Sequence, residues 1–210
     1  MKELTTAFEE ETAIQCEIIL GSSGLLSAQI KAGAPYHIFV SANMKYPQEI
    51  FENDLTITKP AIYAYGVLVL WTRGTSVSLH DLVNDSFQKI AIANPSTAPY
   101  GDAAINALKK SNLLDQLSDK LVYGESISQV NQFILSNAVD AGFTSKSVVV
   151  SRELRDIGQW TEVDQSLYNP VEQGIILIKG DHESEARRFF DFILSEKGQA
   201  ILIANGYKVN

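Results

Sequence analysis

Three short loops carry the residues of this chain best suited to holding an anion. In Gly21-Ser22-Ser23-Gly24, glycines that permit a tight turn flank two hydroxyls, and a helix-spaced apolar run begins at Leu25. The first N–H groups of a helix have no partner inside it, so hydroxyls and N–H donors converge there at the positive end of the helix dipole. Asn94-Pro95-Ser96-Thr97-Ala98-Pro99-Tyr100-Gly101 repeats the arrangement, with Pro99 suited to a first helical position. Gly124-Glu125-Ser126-Ile127-Ser128-Gln129 is the third, and Ser126 and Gln129 have the spacing of a capping box. One serine before a helix is an ordinary N-cap, whereas three such loops after three strands read together as a cradle for a tetrahedral dianion. Neutral N–H and O–H donors hold such an ion through charge-assisted hydrogen bonds, without a Lys or Arg.

Other reactive residues have no comparable context. A serine hydrolase using Ser22 or Ser23 with His37, His80 or His182 is the main enzymatic alternative, but a nucleophile elbow needs Gly-x-Ser-x-Gly and this turn is one residue short. No histidine has metal-ligand spacing, and the single cysteine, Cys16, excludes both an internal disulfide and two-cysteine metal motifs. It reads as a packed thiol. Glu9-Glu10-Glu11 reads as a solvated helix end, and Tyr63, Tyr65, Trp71 and Trp160 as packing residues in or near strands. No cation, no cofactor and no catalysis are expected.

Alternating elements must position these loops. Leu4, Ala7 and Phe8 have helical spacing, while Cys16, Ile18 and Leu20 alternate like a strand over Ile14 to Leu20. Further helices are predicted over Leu25 to Lys31, Leu79 to Val83, Gly101 to Lys110, Ser128 to Leu135, Glu183 to Leu194 and Glu196 to Asn205. Strands are predicted at His37 to Val40, Ala61 to Trp71, Lys89 to Ala93, Leu121 to Tyr123, Ala141 to Thr144 and Gly174 to Lys179. This alternation predicts an α/β chain rich in parallel pairing, with ligands at the carboxyl ends of strands. No repeat or long linker divides it, so two lobes would require crossings within strands, near Ala64 to Gly66 and Val171 to Gly174.

The 210 residues are 45% hydrophobic and 20% charged, the composition of a globular protein that buries a substantial core. A net charge of −8 argues against nucleic acid and anionic membrane as partners. No apolar run approaches the roughly 20 residues of a membrane-spanning helix, and the start at Met1-Lys2-Glu3 shows no apolar signal core.

The Gly-Ser-Ser-Gly turn followed by Ala28-Gln29-Ile30-Lys31-Ala32-Gly33-Ala34-Pro35 and Ser41-Ala42 resembles the periplasmic molybdate-binding protein family. The similarity continues through Ile90 to Pro95, Ala98-Pro99-Tyr100-Gly101, Leu121 to Gln129, Ala141-Gly142-Phe143 and Asn205-Gly206-Tyr207, over nearly the whole chain. It implies a two-lobed type II periplasmic binding protein fold with a hinged cleft, lobe 1 being 1–64 plus 173–210 and lobe 2 being 65–172. It implies a monomeric receptor that captures molybdate or tungstate as oxyanion and delivers it to an ABC transporter permease. Carried over by position, Ser22 and Ser23 are ligand donors of the first lobe, and Tyr100 and Ile127 give main-chain N–H donors from the second. Ser145 falls where some members place a ligand-binding tyrosine.

The family also begins with a strand and an Ala-rich loop bearing a ligand Ser, Thr or Asn ahead of the helix that opens here at Met1. The resemblance therefore implies a longer exported protein of which these residues are a part. A sulfate or phosphate receptor, or a regulatory domain of the same fold, is the alternative that the dipole argument leaves open.

Overall fold

The computed structural model describes residues 1–209. The elements run α1 (Lys2–Thr12), α2 (Ser23–Lys31), β1 (Ile38–Ser41), α3 (Lys45–Glu52), β2 (Ala61–Gly66), β3 (Leu68–Thr72), β4 (Ile90–Ala93), α4 (Pro99–Lys110), α5 (Leu114–Leu117) and β5 (Leu121–Gly124). They continue with α6 (Ile127–Leu135), β6 (Ala141–Ser145), α7 (Lys146–Val149), β7 (Gln159–Glu162), β8 (Val171–Leu177), α8 (Glu183–Leu194) and α9 (Glu196–Ala204). Two compact units result. The first comprises Met1–Tyr65, Glu172–Ala204 and the residues from Lys208; the second comprises Gly66–Val171 with Asn205–Tyr207.

In the first unit a sheet ordered β1-β8-β2 pairs Phe39 with Ile176 and Ser41 with Gly174 in antiparallel register. Ile30 of α2 and Ile50 of α3 cover Phe39, Ile176 and Ile178. A second apolar contact joins α1 to α8, where the Phe8 ring lies 5.0 Å from Phe189 and 5.5 Å from Phe192. Tilted rings at this spacing are a favourable aromatic geometry.

The second unit is a five-stranded sheet ordered β5-β4-β6-β3-β7. Its central strands β4, β6 and β3 are buried at every position because both faces are covered. Ile90 and Ile92 pack with Leu68, Leu70, Tyr100, Ala104 and Leu108 on the α4 side. Ala91 and Ala93 pack with Val69, Trp71, Val130 and Ile134 on the α6 side.

The α/β class expected from the alternation is what the chain adopts, with pairing that is mixed instead of parallel-rich. β4 is parallel to both β5 and β6, as helical crossovers through α4 and α6 permit, whereas β3 is antiparallel to β6 and β7. The run Ala61 to Trp71 is two strands interrupted at Val67.

The expected strand over Ile14 to Leu20 does not form. Alternating apolar residues make a strand only where a neighbour completes the ladder, and neither sheet offers this segment one. Ile18, Ile19 and Leu20 are 37%, 45% and 86% exposed. Local contacts hold the segment instead: Cys16 N–H donates to Glu9 Oε1 at 2.6 Å, and Ile14 N–H to Thr12 Oγ1 at 3.2 Å. Cys16 is accordingly half-buried, and that burial raises its thiol pKa.

Candidate functional site

In the first unit, Ser22 is the N-cap of α2. Its Oγ accepts Leu25 N–H at 3.3 Å, and its carbonyl accepts Leu26 N–H at 3.0 Å. Ser23 Oγ accepts Ala42 N–H at 3.2 Å, tying the turn to the end of β1. Each hydroxyl thus spends an oxygen lone pair on a backbone donor and keeps its own proton to donate. The N–H groups of Ser23 and Gly24 meet no acceptor among the described residues, as the first turn of a helix dictates. Toward a ligand this turn offers two hydroxyl protons and two backbone N–H groups.

In the second unit, three loops lie at one end of the sheet for a topological reason. β5 and β6 flank β4 and run parallel to it, with Ala93 beside Gly124 and Ala91 beside Gly142, so the three carboxyl ends lie at one end of the sheet. Tyr100 follows β4, Ile127 follows β5, and Ser145 ends β6. Asn94 N–H donates to the Gly124 carbonyl at 2.7 Å and fixes the first two loops to each other.

Tyr100 is the second residue of α4, after Pro99. Proline has no N–H, while Gly101 and Asp102 donate to the Ala98 carbonyl. The Tyr100 N–H is left without an acceptor among the described residues. Gly101 lets the helix start this close to its strand, since a Cβ there would lie 2.2 Å from the Ala93 carbonyl oxygen. The Tyr100 phenol is buried, which together with Tyr207 nearby holds its pKa far above the ordinary tyrosine value; a hydrogen bond with Ser145 opposes that shift.

At α6 the Ser126 half of the capping box forms, while the Gln129 side chain reaches the residue ahead of the N-cap. Gln129 N–H donates to Ser126 Oγ at 3.3 Å, and the Gln129 side chain accepts Glu125 N–H at 2.7 Å. Val130 N–H goes to the Ser126 carbonyl, so the N–H groups of Ile127 and Ser128 remain without acceptors among the described residues. Ser145 is buried, with Oγ 3.0 Å from Ser147 Oγ. The structure therefore groups Ser22 with Ser23, and groups Tyr100, Ile127 and Ser145 at one end of the second sheet.

Sequence reasoning missed Ala42, Asn94 and Ser147 as the partners that orient these groups. Asn94 carried a signal, standing at the end of a predicted strand before two prolines. Ala42 and Ser147 carried none, because a backbone donor and a surface-like serine are recognised only by what they touch. His37 and His182 meet edge to face with centroids 5.6 Å apart, a contact between chain segments far apart in sequence. Among the described residues, no group of three His, Cys, Asp or Glu is placed to hold a metal ion. No helix among them is long and apolar enough to cross a membrane.

An α/β chain of two units with undonated helix N-termini in each has the architecture of the periplasmic binding proteins, and its solved counterparts are of that class. The periplasmic molybdate-binding protein of Azotobacter vinelandii matches with a TM-score of 0.87 at 29% identity, covering 100% of this chain and 94% of that one. Peb3 from Campylobacter jejuni shares the fold at 16% identity with a TM-score of 0.73, covering 100% and 94%. Residues 1–208 match the bacterial extracellular solute-binding protein family, and the chain belongs to that family. Among curated relatives, the molybdate-binding protein ModA of Azotobacter vinelandii is 32% identical across 99% of this chain and 84% of its own length. ModA of Rhodobacter capsulatus is 33% identical across 98% and 82%.

Proposed function

We propose that this chain is the substrate-binding receptor of an ABC transporter and that its ligand is molybdate or tungstate, taken as the oxyanion. The observation that carries the reading is the set of unpartnered donors that its loops gather. Ser22 and Ser23 hydroxyls already accept backbone N–H groups, and the N–H groups of Ser23, Gly24, Tyr100, Ile127 and Ser128 have nothing to bind among the described residues. A fully ionised oxyanion accepts from every oxygen and needs no acceptor in return, so such a set suits it. The relatives named molybdate-binding support the choice of ion.

The ligand residues in this reading are Ser22 and Ser23 from the first unit and Tyr100 and Ile127 from the second, with Ser145 as the fifth member. The two units serve as the two lobes of the receptor. The protein acts outside the cytoplasmic membrane as a monomer, hands its cargo to a permease, and carries out no chemistry on it. Sulfate is also fully ionised at neutral pH and is the relevant competitor, whereas hydrogen phosphate carries a proton that needs an acceptor. Calorimetric titration with the four ions tests the reading: selective binding of molybdate and tungstate supports it, and equal or tighter sulfate binding replaces the proposed ligand.

A further inference from the structure

Helix α6 meets the second sheet along an apolar stripe that contains one polar residue. Ile127, Val130 and Ile134 recur at helical spacing, and Val130 and Ile134 are buried in the cluster that holds Ala91, Ala93, Val69 and Trp71. Asn131, four residues after Ile127 and three before Ile134, stands on the same face. On β6, Phe143 packs on the α4 side, so Gly142 and Thr144 point to the α6 side. Thr144 is 0% exposed, and its Oγ1 donates to Asn131 Oδ1 at 2.6 Å.

Neither polar residue favours this layer by itself. A hydroxyl or amide taken out of water without a partner destabilises the fold, and asparagine is a poor helix former. As a pair they satisfy each other and fix a position that the rest of the contact leaves loose. A Cβ on Gly142 would lie 2.6 Å from Ile134 Cδ1, and one on Gly124 of β5 would lie 3.2 Å from Val130 Cγ2. The helix thus lies close against glycine backbone, with no side chain at those two positions to stop it sliding along the strands. A hydrogen bond between two particular side chains is satisfied at one register, and a slide would leave the Thr144 hydroxyl buried and unpaired.

The bond also lies near the donors. Thr144 is one residue from the end of β6, and Asn131 is one turn from Ile127, the first residue of α6. Four residues of helix, about 6 Å, separate it from the Ile127 N–H. Resting on the oxyanion reading above, we infer that Thr144 and Asn131 are positioning residues: their hydrogen bond sets the register of α6 on β6. It thereby places the Ile127 and Ser128 N–H groups at the end of the sheet where the anion is held. The two side chains act on the anion only through the α6 backbone. Thr144→Val removes the donor, keeps the branched shape and should weaken molybdate binding by about 3- to 10-fold, the equivalent of one modest hydrogen bond. Thr144→Ser keeps the hydroxyl and should bind as wild type does.

The test pairs calorimetry with molybdate and amide NMR of the ligand-free protein, both on the full chain. The proteins are wild type, Thr144→Val, Thr144→Ser, Asn131→Ala and the Thr144→Val/Asn131→Ala double variant. The double variant should bind no more weakly than the weaker single variant. The Ile127 and Ser128 amide signals should be displaced by Thr144→Val and by Asn131→Ala but not by Thr144→Ser. A bond that only stabilised the fold would lower the unfolding midpoint and leave these native-state signals in place. If Thr144→Val does not fold, Asn131→Ala, which removes the acceptor from a half-buried position, carries the same test. Additive affinity losses, or wild-type affinity in the variants that lack the bond, overturn the inference. Undisplaced Ile127 and Ser128 signals overturn the register contact whatever the chain binds, whereas a wild-type chain that binds none of the four ions overturns the receptor reading itself.

Discussion

Ser23 Oγ accepts the Ala42 N–H at 3.2 Å, and this one bond joins the turn before α2 to the turn after β1. The two residues are nineteen positions apart, and the contact fixes where the Ser23 proton can point. With one lone pair committed to Ala42, the hydroxyl is oriented as a donor.

On the proposed reading, Ser23→Ala removes an anion donor and leaves Ala42 N–H without its acceptor. Molybdate affinity should fall by about 1 to 3 kcal/mol, the scale of a hydrogen bond to a charged group. Calorimetry reads the loss directly, and an unchanged dissociation constant removes Ser23 from the site.

Gly101→Ala should weaken both fold and binding. The added Cβ would stand 2.2 Å from the Ala93 carbonyl oxygen, a backbone atom that cannot rotate away. Overpacking of this kind costs about 1 to 3 kcal/mol, to be read as a lowered urea midpoint, and the displaced α4 start should lower molybdate affinity as well. Wild-type stability in this variant would mean that α4 tolerates a wider separation from β4.

Ser27→Ala should leave stability unchanged or raise it. Ser27 Oγ is the one fully buried side-chain polar atom without a hydrogen-bond partner among the described residues, on a helix otherwise anchored by Ile30. Removing an unsatisfied hydroxyl relieves a desolvation cost of about 1 to 3 kcal/mol, partly offset by lost packing. A clear fall in the thermal midpoint would reveal a partner for that hydroxyl.

Alkaline stability should depend on Tyr100. Burial, first, and the nearby Tyr207 raise its pKa in the folded chain, and burial raises that of Tyr168 as well. Above a pH of about 10 the unfolded chain releases these protons while the folded chain keeps them, so stability present at lower pH is lost as pH rises. Each such group adds a slope of at most about 1.4 kcal/mol per pH unit. Unfolding midpoints recorded from neutral to strongly alkaline pH should fall less steeply for Tyr100→Phe than for wild type, and identical slopes would contradict the burial of this phenol.

Much of this architecture was legible because the sequence signals were local. Glu183 to Leu194 forms the helix its spacing predicts, with Phe189, Phe190 and Ile193 buried. Pro99, Ser126 and Gln129 announced the helix starts that leave Tyr100 and Ile127 with free N–H groups. What escaped depends on distant partners. Cys16, Ile18 and Leu20 alternate as a strand does, but pairing is a property of the neighbour and not of the segment. α3, from Lys45 to Glu52, escaped because Pro47 lies within its first turn, where proline is tolerated, and reads in isolation as a breaker. β7 is a short edge strand of polar character, Gln159–Glu162, visible only by its ladder to β3. At the site, the residue types were readable, whereas the bond from Ala42 N–H to Ser23 Oγ required knowing that β1 ends beside that turn.

The measurement that tests the central claim most directly is calorimetric titration of the purified chain with molybdate, tungstate, sulfate and phosphate at neutral pH. A donor-rich site in a solute-binding receptor of this family predicts tight binding of the first two ions and markedly weaker sulfate and phosphate. Failure to bind any of the four, or a preference for phosphate, would contradict it.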